Sequence, residues 1–122
     1  FPLVASRLID AGHYKASLEY TKRAIEESPD NPRAYDFLLL AVGKVEEWSL
    51  AERILLEALP KAGSQPLLEQ ALGMVEARLG KWVEAKGASK RAIEADASLE
   101  DARKILALAE KKLAATPQAP TA

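Results

Sequence analysis

Apolar residues fall at helical spacing along almost the whole chain, and Gly and Pro mark where each run stops. Leu3, Val4, Leu8, Ile9 and Ala11 recur at that spacing, which predicts a helix that Gly12 breaks. A second helix follows from Tyr14 to Glu27. In the stretch SPDNP, Pro29 cannot continue a helix, Asn31 is a good N-cap and Pro32 suits the first helical position. A third helix therefore runs from about Pro32 to Val45. A fourth runs from Trp48 to Leu59 and is expected to stop at Pro60. Gly63 and Ser64 make the next turn, and Pro66 opens a fifth helix that Gly80 ends after Leu79. The sixth runs from Trp82 to Ala95. Gly87 inside it costs roughly 1 kcal/mol against Ala, a cost offset if it allows a close helix contact. Ser98 with Asp101 reads as a capping box. The last helix, DARKILALAEKKLA, places Ala102, Ile105, Leu106, Leu108, Ala109 and Leu113 on one side and ends near Ala114. Residues 115–122, with two prolines and no large apolar residue, are expected to be a disordered tail.

A second pattern overlies the first. Trp48, Ala51, Ala58 and Leu59 return 34 residues later as Trp82, Ala85, Ala92 and Ile93, and 34 residues earlier as Tyr14, Ser17, Ala24 and Ile25. A ring, two small residues and a branched aliphatic describe a helix that lays a ring down and lets a neighbour approach closely. Gly12 and Gly80 precede two of the rings, with Glu46 in the third such place. Pro29 ends the first copy. Val4, Leu38 and Leu72 share one register in the first helix of each copy, with Ala5 and Gly73 beside two of them and Leu39 beside the third.

This pattern resembles the tetratricopeptide repeat, a helix–turn–helix unit of the same length. The resemblance implies an all-α solenoid of three repeats, about 1–31, 32–65 and 66–98, with a capping helix over 99–114 and a right-handed superhelical twist. The capping helix has a polar outer face, as a terminal element needs.

Composition adds mostly exclusions. Aromatics are 6% of residues, so the core must be aliphatic and Ala-rich. A net charge of −1 gives no global field to draw in nucleic acid or an anionic membrane. Cysteine is absent, which removes disulfides and thiolate metal sites. The longest uncharged apolar run, Phe37–Val42, is far too short for a membrane span. The chain opens at Phe1 already in a helical pattern, so it reads as a fragment with sequence upstream.

No motif for phosphate, dinucleotide, zinc or nucleophilic chemistry is present. His13, the one histidine, falls in a predicted turn and cannot build a two-histidine metal site. No catalytic residue, metal or cofactor is therefore expected. Glu76 falls where an interhelical apolar residue is expected; a bend toward solvent is the plainer reading, and a polar contact the other. Trp48 and Trp82 could stack a ligand or base, but their register with Tyr14 favours packing. Lys86, Lys90 and Arg91, with Arg103, Lys104, Lys111 and Lys112, are interleaved with glutamates and read as a solvated mixed face.

What remains is an interaction module. The resemblance puts a concave groove on the first helix of each repeat, at Asp36, Leu40 and Lys44, then Gln70, Met74 and Arg78, then Lys104, Leu108 and Lys112 of the capping helix. Leu40, Met74 and Leu108 form an apolar line with Phe37 and Leu67 nearby, and Lys44, Arg78 and Lys112 form a cationic ladder. That combination suits a protein or peptide with apolar anchors and acidic flanks. Self-association into a homo-oligomer is the alternative, and a helical-repeat RNA binder is the weaker one. In chaperone-binding members of the resembled family, a clamp of cationic and Asn side chains holds acidic C-terminal tails. Its five places here hold Pro2, Ser6, Phe37, Leu67 and Ala71, without a charge or an amide among them.

Overall fold

The computed structural model describes residues 14–63 and 65–115. The predicted helix before Gly12, His13, Ser64 and the tail beyond Ala115 lie outside them, as do the clamp places at Pro2 and Ser6. Six helices follow one another: α1 (Tyr14–Glu27), α2 (Pro32–Val45), α3 (Trp48–Ala62), α4 (Pro66–Arg78), α5 (Trp82–Ala95) and α6 (Glu100–Ala115). No strand occurs among the described residues. Each helix packs on its neighbours in sequence, and α4 also touches α2 and α6. That next-but-one contact is how helix pairs stack into a solenoid.

The turns explain the helix boundaries. Asn31 accepts a hydrogen bond from Arg33 N–H at 3.1 Å and so caps α2, with Pro32 in its first turn. The Tyr35 hydroxyl donates to the Pro29 carbonyl at 2.6 Å, tying α2 to the turn before it. Two equivalent turns, before Trp48 and before Trp82, need the left-handed backbone. Gly80 takes it at φ 75°, and Glu46 takes it at φ 54° despite its side chain.

Two expected boundaries move. Pro60 does not stop α3, which continues to Ala62. A proline loses its own N–H bond and crowds the carbonyl four residues back, here that of the exposed Leu56, and with the helix ending at Ala62 both costs fall in its last turn. The expected capping box at Ser98 does not form. The Ser98 hydroxyl and N–H both donate to Asp96, at 2.6 and 3.0 Å, and α6 begins at Glu100. These bonds hold the Asp96 carboxyl below its usual range.

The core is aliphatic. Ile25, Leu38, Val42, Leu55, Leu68 and Val75 are fully buried in one cluster. The small residues of the repeat pattern, Ala51, Ala58, Ala85 and Ala92, are sealed from solvent. Helices α4 and α5 approach closely at Gly73, where an added Cβ would lie in ordinary contact, 3.5 Å from the Ala85 carbonyl oxygen and 3.6 Å from Ala88 Cβ. Trp82 lies half-buried against a second cluster of Ala85, Ile105 and Ala109, with Met74 and Ala77 beside it. Ring and small residues are thus packing units.

Candidate functional site

Helices α2, α4 and α6 come together on one side. A pocket of about 70 Å³ is lined by Asp36 and Leu39 of α2, by Leu67, Gln70 and Met74 of α4, and by Asp101 of α6. The Gln70 side-chain oxygen accepts a bond from Ala102 N–H at 3.1 Å, which stitches α4 to the start of α6. This covers one of the α6 N–H groups that have no partner within the helix.

The apolar line is uneven. Leu40 is 51% exposed and Leu108 42% exposed. Met74, between them in register, is half-buried against the second cluster, so part of its surface is committed to the core. Phe37 and Leu67 are half-buried and pack on the main core, so they are less available than the pattern suggests. Asp36 and Lys104 are exposed. Asp101 and Leu39 also line the pocket; Asp101 stands one repeat after Leu67, so the period could have pointed to it.

The cationic ladder has a feature that spacing alone did not show. The Arg78 guanidinium lies 5.4 Å from the centre of the Trp48 ring. The Lys112 ammonium lies 5.9 Å from the centre of the Trp82 ring. Each cation stands at the same sequence distance from its ring, so the pairing repeats with the period. Lys44 holds the corresponding position relative to Tyr14; both side chains lie outside those described.

The opposite face of α4 corrects two expectations. Glu76 does not bend toward solvent: it is 5% exposed, and one carboxylate oxygen has no hydrogen-bond partner. Burial, reinforced by Glu52 of α3 and Glu84 of α5, pushes its carboxyl up to about 7, against weaker opposition from Arg91 and Lys81. Nor is Arg91 merely part of a solvated face. Its Nε donates to the buried carboxylate of Glu69 at 2.9 Å, bridging α5 to α4. Gly87 leaves room for that reach, since a Cβ there would lie 3.3 Å from Arg91 Nη1. The contact relieved by Gly87 is thus with an arginine side chain, not a neighbouring helix. A further ion pair, Lys81 to Glu52 at 2.7 Å, links the α4–α5 turn to α3.

A second, open cleft of about 590 Å³ lies at the α2–α3 turn, lined by Glu46, Glu47, Trp48, Ser49, Leu50, Arg53 and Leu79. Its charges are mixed and it shows no convergent set of polar groups. Among the described residues, no group of three or more His, Asp or Glu is placed to hold a metal. No described helix is long and apolar enough to cross a membrane.

Solved structures match this chain closely in shape and weakly in sequence. The first TPR domain of human RPAP3 aligns with a TM-score of 0.69 at 19% identity, over 93% of this chain and 90% of that one. The first TPR of Spaghetti (RPAP3), bound to the HSP90 peptide SRMEEVD, gives 0.67 at 20% identity, over 93% of each chain. The Sgt2 TPR domain from Aspergillus fumigatus gives 0.66 at 17% identity, over 97% of this chain and 83% of that one. No protein-family model matches the sequence, and no curated protein does. The chain has the tetratricopeptide-repeat fold, an all-α solenoid of helix–turn–helix pairs.

Proposed function

We propose that this chain is a non-catalytic protein–protein interaction module whose groove across α2, α4 and α6 takes a segment with apolar anchors and acidic flanks. The observation that carries the reading is the exposure of Leu40 and Leu108 in register with Met74, beside Arg78 and Lys112. Exposed leucines in a shallow groove are sites where apolar area can still be removed from water. Peptide binding by a structural neighbour of the same fold supports the class. A net charge of −1 weighs against nucleic acid.

The mode differs from that of the neighbour's chaperone tail. Of the five clamp places, Phe37 and Leu67 are half-buried and apolar and Ala71 is buried, so these three offer a terminal carboxylate no donor side chain. The test is selection from a random peptide library with the wild-type chain and with Leu40→Lys. Wild-type selection should enrich aliphatic residues flanked by Asp and Glu, and Leu40→Lys should lose that enrichment. Millimolar or tighter binding of SRMEEVD that depends on its terminal carboxylate would overturn the proposed mode.

A further inference from the structure

The rows of side chains across α2, α4 and α6 also bear on the conformation of what binds, given the groove reading above. We infer that the occupant is an α-helix of a partner protein, with apolar residues repeating every seven and carboxylates along one flank.

The chemistry of the floor is the first argument. Leu40, Met74 and Leu108 offer no N–H or O–H, and the side-chain oxygen of Gln70, the nearby amide, is already engaged by Ala102 N–H. An extended segment pressed on this floor would find only the Gln70 amide N–H groups as neutral side-chain donors, and most of its row of buried backbone groups would go unpaired. A helix satisfies its own backbone and brings only side chains to the surface.

Spacing is the second argument. Helices α2, α4 and α6 are neighbours in contact, and packed helices lie roughly 8–10 Å apart. A line of one residue per helix therefore presents apolar contacts at about that interval. A helix rises 1.5 Å per residue, so seven residues cover roughly 10 Å and return close to the same face. Three anchors a heptad apart would meet Leu40, Met74 and Leu108 in turn. The thioether of Met74 adapts to whichever side chain comes to the middle.

Charge is the third argument. Arg78 and Lys112 stand along one edge of the line, each held over a tryptophan face. A cation already held in place loses less side-chain freedom when a carboxylate arrives. The other edge carries Asp36, Gln70 and Lys104, which is mixed and favours no single sign. The occupant is thus acidic on one flank only.

The test uses three fluorescein-labelled peptides of about 18 residues, long enough for three heptad anchors. The helix probe has Leu every seventh residue and Glu on one flank. The extended probe has the same Leu and Glu content, with Leu every third residue and two prolines in place of polar residues. The third is the helix probe with Gln for Glu. Fluorescence anisotropy reads affinity, and circular dichroism of the helix probe reads its helicity on binding. The helix probe should bind at least about tenfold tighter than the extended one and gain helicity. Arg78→Gln and the Gln peptide should each weaken binding several-fold, and Leu40→Lys should abolish it. If the extended probe binds as tightly, and Leu40→Lys still abolishes binding, the helix inference is wrong and the groove reading stands. If neither probe binds, or Leu40→Lys leaves binding unchanged, both fail. Self-association that Leu40→Lys removes, seen by sedimentation without peptide, would make a second copy the occupant and overturn the inference.

Discussion

The two sides of α4 make the most instructive comparison in the molecule. Toward α3 and α5 the helix buries two carboxylates, Glu69 at 2% exposure and Glu76 at 5%. Toward the groove it offers Gln70 and a half-buried methionine, in line with leucines that stay largely in water on α2 and α6. Charge is inside and hydrocarbon is outside, the reverse of the usual economy of a helix surface. The seam tolerates its carboxylates by different means. Glu69 is met by Arg91, while Glu76 holds its proton to near neutral pH. Among the described residues, nothing covers the leucines of this side. A seam that holds the stack and the groove proposed to bind should therefore respond oppositely to mutation.

The largest effect is expected from the ring between α5 and α6. Trp82→Ala should cost about 3 kcal/mol, the low end for a truncated aromatic because the ring is half-buried. Urea unfolding measures it, and an unchanged midpoint would show that Trp82 does not hold α5 to α6.

Glu76→Gln should give a similar magnitude, but only at high pH. Its carboxyl rises from 4.5 to about 7 on folding, so the folded chain binds that proton more tightly than the unfolded one. Stability from this group is fully present below about pH 4.5 and is lost as pH rises through about 7. At 1.36 kcal/mol per pH unit, the loss at pH 8 is about 3 kcal/mol. Glu76→Gln should thus be about as stable as wild type at pH 5 and more stable at pH 8. A gap between the two proteins that does not grow from pH 5 to 8 would show that Glu76 is solvated.

A smaller gain is expected at the turn before Trp48. Glu46 holds a left-handed backbone where the next repeat uses Gly80. Relief of that strain, less the flexibility glycine adds to the unfolded chain, should make Glu46→Gly more stable by about 0.5 kcal/mol. The smallest stability effect belongs to the groove. Leu40→Lys removes a half-exposed side chain and should stay within about 0.5 kcal/mol of wild type. A cost of several kcal/mol would make Leu40 a core residue and erase the contrast between the two sides.

Much of the fold was legible because its packing units recur. Rings at Trp48 and Trp82 and the alanines after them are visible at a fixed period, and they sit where close helix contacts need them. Boundaries set by Asn31, Pro32, Pro66 and Gly80 were legible because each residue has one strong local preference. Pro60 misled because its lost bond and its crowding of the Leu56 carbonyl fall in the last turn, where the helix ends two residues later. Ser98 misled because a hydroxyl can serve a nearby aspartate instead of the helix. Glu76 and Arg91 misled for a tertiary reason: charges are spread around α4 and α5, and their environment depends on which neighbour covers each side. The residues proposed for the groove are legible only as a register. That Phe37, Leu67 and Met74 are partly committed to the core, and that Arg78 and Lys112 rest on tryptophans, depends on side-chain packing that spacing cannot carry.

The central claim is that the groove, not the outer surface, is where a partner binds. Among the described residues, two other large aliphatics are exposed, Leu56 on α3 and Val83 on α5, and they serve as internal controls. The direct measurement is a titration of isotope-labelled protein with the acidic heptad-leucine peptide, followed by NMR at the methyl groups of Leu40, Met74, Leu108, Leu56 and Val83. The account predicts shifts at Leu40, Met74 and Leu108 that saturate together, with Leu56 and Val83 unmoved. Shifts centred on Leu56 or Val83 would contradict it.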